Sequence, residues 1–448
     1  METTLFNTID ILIVPIVLII LFVYGNFLKK KQAPILQKYF TVGLILRMVG
    51  TFLITLITQL YYGYGDTYLY YQNTIALRKL MIQDPLAWVN VLFTDPSNET
   101  TSMLKYVDIV SDYGIGARNV FKTLENASVS KIGSIINIIC FDSYLGISLF
   151  VGLLSFLGCW FIFKTFTHIY PGYEKQFAWY CLYLPSLWFW GSGLLKDPIC
   201  LFALGILLHS IFIKHSTFIV RIAIIAMAIF LLLNVKAYIF YSFAIAFALG
   251  ISIENFKRLS MIGKGFSFLI FLVAIAFLFP IIVGYITDTL NDIITDSKRY
   301  VDLYESIKQE GDSTIIPILD PTPFGFFKFC LEGLWSVFMK PYLWNVNKPI
   351  YLFVAAENLL IWYIIFRKIE MKNFLFMKNY RLLTYFSISF FIVLGIIVGT
   401  NAFNLGTVSR YRIPTLPFFF AGLFTLKLAN SKKNAIHKPE SVKIKIIF

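Results

Sequence analysis

The sequence predicts an all-α polytopic membrane protein with about eleven transmembrane helices and two long outer loops that carry interfacial helices. Three observations lead there. Of the 448 residues, 58% are hydrophobic and 14% charged, with a mean hydropathy of +0.72, a balance unlike that of a water-soluble domain. The apolar residues come in repeated blocks of roughly 20, each able to cross about 30 Å of hydrocarbon as a helix. The basic residues gather between alternate blocks, which puts them on one side of the membrane.

The blocks lie at 10–28, 40–62, 144–167, 175–191, 198–213, 219–236, 238–254, 266–286, 349–366, 381–400 and 413–429. Lys29, Lys30, Lys31 and Lys38 follow the first block, Lys214, His215 and Arg221 the fifth, and Lys257, Arg258 and Lys264 the seventh. Arg367, Lys368, Lys372, Lys378 and Arg381 follow the ninth, and Lys427, Lys432 and Lys433 close the last. All fall on one side when every block is counted, so the N-terminus is expected outside and the C-terminus in the cytoplasm. The fourth and fifth blocks are short and joined by a polar turn at 191–197, so a re-entrant or tilted pair is an alternative that leaves the sidedness unchanged.

The expected organisation is then two N-terminal transmembrane helices (1–62), a first outer loop (63–143), six transmembrane helices (144–286), a second outer loop (287–348), three further helices (349–429) and a basic tail (430–448). In the first loop, Tyr68 to Leu80 and Pro85 to Leu92 have helical apolar spacing, ahead of a polar region around 95–131. The second has a polar half at 288–312, prolines at 317, 321 and 323, then an aromatic amphipathic stretch from Phe324 to Leu343. Such stretches suit helices lying in the interface over a cavity.

Several function classes find no support. The formal charge of +14 is spread through short loops rather than gathered on a polar stretch with interleaved aromatics, so nucleic acid is not an expected partner. Cys140, Cys159, Cys181, Cys200 and Cys330 lie in or beside apolar segments with no CxxC spacing, which argues against a disulfide framework or a zinc site. His168 and His209 belong to no metal-ligand cluster and read as helix ends or packing. There is no GxxxxGK[ST], GxGxxG or GxSxG motif. No basic n-region or cleavage site precedes the first block, so it is read as a retained helix. The N-x-S/T matches at Asn98 and Asn126 carry no weight.

What needs explaining is a short list of outer-facing charges, because an ionised group near an apolar span costs a few kilocalories per mole unless it snorkels or faces a protein cavity. Asp66 follows the second block among Tyr61, Tyr62, Tyr68, Tyr70 and Tyr71. A carboxylate there can take a proton from a sugar hydroxyl while Tyr68 and Tyr71 stack on the ring; a helix cap in an interfacial tyrosine belt is the plainer alternative. Lys196 and Asp197 follow Trp190 and a Gly-Ser-Gly turn. Asp197 can cap a helix starting at Pro198, and Lys196 reads either as a contact for a lipid-linked phosphate or as a snorkelling anchor. Lys236 and Lys340 leave the same choice open. Arg410 and Arg412, in Ser409-Arg410-Tyr411-Arg412-Ile413-Pro414, have the chemistry of a bidentate phosphate clamp. Glu357 sits early in the ninth block.

This arrangement resembles the GT-C-type polytopic membrane glycosyltransferases and related bacterial membrane polysaccharide polymerases. The resemblance rests on Asp66 in the first outer loop, the number of helices, the second long outer loop, and the Arg-Tyr-Arg-Ile-Pro at 410–414 before the last block. It implies a GT-C-like fold and transfer of a sugar from a polyprenyl-phosphate-linked donor to a glycan or lipid-linked acceptor, at the outer face of a bacterial inner membrane. Asp66 would be the acid/base, Arg410 and Arg412 the donor-phosphate contacts with Lys196, Lys236 and Lys340, and Tyr68, Tyr71, Trp190, Asp197 and Tyr411 substrate contacts. No resident metal is assigned; a divalent cation is an option the resemblance leaves open. The sequence departs from the common pattern in lacking a second acid beside Asp66 and in carrying one extra helix ahead of the loop. A secondary transporter or flippase of lipid-linked glycan is the rival reading, weakened by the absence of an internal repeat.

Overall fold

The computed structural model describes residues 4–214, 217–258, 323–346, 349–368, 382–401 and 405–430, and every regular element among them is helical. Among the described residues, five helices are long and apolar enough to cross a membrane: Asp10–Lys30, Pro34–Tyr62, Tyr144–Ile169, Phe218–Asn255 and Leu382–Thr400. The chain is therefore a helical protein embedded in a membrane. The block at 266–286, the polar stretch at 288–312 and the tail beyond 430 lie outside the described residues. The chain forms two compact units, Met1–Tyr241 and Ser242–Phe448.

In the first unit, α1 (Asp10–Lys30), α2 (Pro34–Ile57, prolonged by a π-helical turn to Tyr62) and α8 (Tyr144–Ile169) match the first three apolar blocks. The central helix is α8, whose apolar stretch is 78% buried against 28% for α1. Helix α2 runs antiparallel to it, with Phe40 edge-on to Phe156 and Trp160 near one end and Thr51 against Gly152 farther along. Helix α11 (Lys196–Phe212) runs parallel to α8. A Cβ on Gly158 would stand 2.2 Å from the Leu201 carbonyl oxygen, and one on Gly205 2.0 Å from that of Gly158. Two glycines thus let the backbones touch, a common way for helices to associate where lipid removes the hydrophobic drive.

The fourth block breaks into α9 (Glu174–Ala178), a π-helical turn and α10 (Pro185–Trp190), then an irregular buried stretch at 191–195 before α11. The sixth and seventh blocks form one run, α12 (Phe218–Arg258), 41 residues long and interrupted by a single non-helical residue, Lys236, at φ −153° and ψ 82°. Two helices therefore meet at Lys236.

Between α2 and α8 the sequence predicts two helical stretches and a polar region; the structure has five helices. They are α3 (Asp66–Gln83), α4 (Pro85–Phe93), α5 (Thr101–Ser111), α6 (Ile115–Phe121) and α7 (Leu124–Cys140). They close around their own core of Leu77, Leu80, Val91, Tyr106, Val110 and Phe121, with alanines at 76, 87, 117 and 127. The polar stretch folds because Thr100 and Asp84 cap α5 and α4 by accepting from Met103 N–H and Ala87 N–H. Polar side chains also turn inward: Asn73 Nδ2 donates to the Ala117 carbonyl at 3.0 Å.

In the second unit, α13 (Pro323–Met339), α14 (Pro349–Lys368), α15 (Leu382–Asn401), α16 (Leu405–Tyr411) and α17 (Leu416–Asn430) are described. The stretch from 324 to 343, expected to lie as an interface helix, packs lengthwise on the apolar helix α15. Gly333 meets Gly399 and Phe338 meets Phe391, so the two run antiparallel, and a Cβ on Gly399 would stand 2.0 Å from the Gly333 carbonyl oxygen. Beyond α13, Tyr342 and Trp344 stack on each other and pack against Trp362 of α14.

Candidate functional site

The irregular backbone at 191–195 is the feature around which the first unit's polar groups assemble. Backbone carbonyls at membrane depth need internal partners, and Arg47 in the middle of α2 supplies them. Its Nη1 donates to the carbonyls of Leu187 and Gly191 at 2.7 and 2.9 Å, and its Nη2 contacts Cys159 Sγ at 3.1 Å. Gly191 must be glycine, since a Cβ there would fall 2.3 Å from Arg47 Nη1, and Gly193 takes a left-handed φ of +83°. Ser192 Oγ donates to the Trp188 carbonyl at 2.7 Å. On the other side, Thr67 Oγ1 donates to the Leu194 carbonyl at 3.0 Å and lies 2.8 Å from Tyr144 Oη.

Three helices begin around this turn, each with an acid in its first turn: Asp66 on α3, Glu125 on α7 and Asp197 on α11. Acids there face the positive ends of the helix dipoles. Lys236 Nζ donates to Asp197 Oδ1 at 2.6 Å, with side chains 3% and 1% exposed. The non-helical backbone at Lys236 thus sits where its ammonium meets the start of α11. Lys196 Nζ pairs with Glu125 Oε2 at 3.1 Å, with side chains 15% and 50% exposed. Asp66, next to Thr67, is exposed. Tyr70, one turn along α3 from Asp66, donates to Asn126 Oδ1 at 2.9 Å, which fixes α7 beside α3 next to Glu125.

Three residues singled out in the sequence therefore come together, Lys196, Asp197 and Lys236, and the helix that opens with Asp66 is tied to the same turn through Thr67. Glu125 and Arg47 join them. Glu125 lies in the polar region that periodicity left unassigned, and Arg47 inside an apolar block, where a mid-span arginine is itself the signal. Tyr68 and Tyr71 are buried. Tyr68 Oη donates to Gln59 Oε1, while Tyr71 Oη donates to the Asp142 carbonyl and accepts from Asn7 Nδ2. Both hydroxyls are committed to packing. Trp190 is also buried, at the end of α10.

The second unit places the remaining candidates. Arg412 is fully buried: Nη1 donates to Asn358 Oδ1 at 2.6 Å and to the Val337 carbonyl at 3.1 Å, and Nη2 to Glu357 Oε2 at 3.2 Å. Asn358 Nδ2 in turn donates to the Pro341 carbonyl at 3.2 Å. The guanidinium thus satisfies the end of α13 and the turn after it, as Arg47 does for α10. Arg410 is half-buried, with its guanidinium 5.2 Å from the Tyr411 ring centroid, and Lys340, closing α13, is half-buried too. His209 is buried, with Nδ1 2.9 Å from Thr165 Oγ1, a packing role. Among the described residues no group of three His, Cys, Asp or Glu side chains is placed to hold a metal ion.

Outside the spanning helices, Lys131 of α7 is buried with Nζ donating to the Thr94 carbonyl at 2.7 Å. Burial pushes its pKa down to about 8, against a smaller upward pull from Asp95. Comparison of the chain with protein families, with curated proteins and with solved structures returns no match.

Proposed function

We propose that the protein is a membrane glycosyltransferase that moves a sugar from a polyprenyl-phosphate-linked donor to a glycan or lipid-linked acceptor at the outer face of a bacterial inner membrane. In this reading it is GT-C-like, with eleven spans, the N-terminus outside and the C-terminus in the cytoplasm. One observation carries it: Lys196 pairs with Glu125 beside a broken helix whose backbone is secured by Arg47 and by Thr67, the residue after Asp66, and whose next turn is locked by Lys236 and Asp197. A polyprenyl phosphate leaving group gains negative charge as the glycosidic bond breaks, and Lys196 is the ammonium set to neutralise it. Asp66, an exposed carboxylate, takes the proton of the acceptor hydroxyl. In this reading Lys236, Asp197 and Arg412 hold the fold, and Arg410 supplies the phosphate contact of its motif.

The test is transfer of labelled sugar from a polyprenyl-phosphate donor pool in membranes holding matched amounts of wild type, Asp66→Asn and Lys196→Gln. Both variants are expected to fall at least about 100-fold, the range for a lost acid/base or charge-stabilising group. Full transfer by Asp66→Asn would remove its role. A transporter or flippase is the second reading, favoured by the discontinuous α10–α11 with its buried ion pair, a feature of transporter substrate sites. Movement of lipid-linked glycan across vesicles with no sugar transfer would select it.

A further inference from the structure

We infer that Glu125 is the resting occupant of a phosphate-binding position on Lys196, held there until a ligand's phosphate displaces it. The inference rests on the reading of Lys196 as a phosphate contact, and adds how that contact is kept and regulated. Its ammonium already holds an oxyanion: Glu125 Oε2, at 3.1 Å. A phosphate oxygen makes the same charge-assisted hydrogen bond with the same distance requirement.

What marks this pair as exchangeable is the asymmetry of its burial. The Lys196 side chain is 15% exposed and that of Glu125 50%. Lys196 is mostly buried, and the residue after it, Asp197, is pinned by the buried Lys236. Glu125 stands at the solvent edge of α7, where its carboxylate can turn outward and be hydrated at little cost. An ion pair with one member half in water contributes little net stability, so an incoming phosphate competes against a weak internal rival. The neighbouring Lys236–Asp197 pair, buried on both sides, cannot exchange in this way.

Displacement has a second consequence. A phosphate that takes Lys196 displaces Glu125, so a carboxylate is released at the start of α7 once the phosphate is bound. The ligand class is a phosphate ester reached from the outer side, which two sources can supply: the head of a polyprenyl phosphate or that of a bilayer phospholipid.

The experiment is a double-mutant cycle on the full chain in neutral detergent, measuring binding of a polyprenyl monophosphate, with phosphatidylglycerol in mixed micelles as a second arm. Glu125→Gln is expected to tighten binding about two- to fivefold, the fold-change that matches loss of a weak competing pair. Lys196→Gln is expected to weaken it about tenfold or more, and the gain from Glu125→Gln is expected to vanish in that background. Unchanged or weaker binding by Glu125→Gln overturns the proposal, as does an equal gain with Lys196 removed, which would mark a diffuse charge effect. A gain confined to polyprenyl phosphate assigns the position to the donor. An equal gain with phosphatidylglycerol supports the exchange itself while removing the support for glycosyl transfer, so the two readings fail separately.

Discussion

Each unit buries a cation against a carboxylate, Lys236 with Asp197 in the first and Arg412 with Glu357 in the second, but what surrounds the two pairs differs. In the first unit the pair is the inner end of a gradient that passes through the partly exposed Lys196–Glu125 bridge to the exposed Asp66. In the second, Arg412 closes a network whose other members are Asn358, the Val337 carbonyl and, through Asn358, the Pro341 carbonyl. A fully buried guanidinium so engaged completes a helix end. In the first unit that task falls to Arg47, which leaves the lysines to grade toward the surface. Residue type marked both regions, and the exposure of each cation's partner separates bracing from binding.

The largest expected effects test that separation. Lys236→Met and Arg412→Met each strand a buried carboxylate and should cost about 3–5 kcal/mol, read as a lowered melting temperature in detergent. The compensating doubles should then part company. Lys236→Met with Asp197→Leu removes both charges of the pair and should recover most of the loss. Arg412→Met with Glu357→Leu still leaves the Val337 carbonyl and Asn358 without their donor, and should recover less. Equal recovery in the two doubles would break the distinction between a pair and a cap.

Next in size are the glycine crossings, where the units are expected to behave alike. Gly158→Ala on α8 and Gly399→Ala on α15 each push a methyl to about 2 Å from a backbone oxygen and should cost about 1–3 kcal/mol as overpacking. Gly63→Ala serves as a contrast, since nothing lies within 4 Å of a Cβ there and its φ of +67° is the sole source of strain. A Gly158 or Gly399 variant as stable as wild type would mean that the backbones do not touch at these points.

What the sequence revealed and what it hid follow one physical line. Apolar blocks announce themselves by length, so α1, α2, α8, α14 and α15 fall where hydropathy put them. Charges against apolar spans are visible for the same reason, hence Lys236 and Arg412. Which carboxylate each meets is not, because Asp197 and Glu357 come from other helices and pairing is a tertiary fact. Helices α5 to α7 escaped because their inward residues include Ala117, Ala127, Ser130 and Asn137, too small or too polar to draw an apolar stripe. The single break at Lys236 has neither Pro nor Gly beside it; only its ion pair explains it.

The smallest expected effect concerns another buried cation, Lys131, whose ammonium rests on the Thr94 carbonyl. Because burial lowers its folded pKa to about 8 from the ordinary 10.5, the unfolded chain binds more protons than the folded one as pH rises between those values. Stability therefore climbs with pH across that window, by about 1 kcal/mol between pH 7 and 9. Thermal unfolding of the full chain followed over that range should show the climb, and Lys131→Met should flatten it. An unchanged slope in Lys131→Met would place the titrating group elsewhere and remove Lys131 as the counterpart to the two ion pairs.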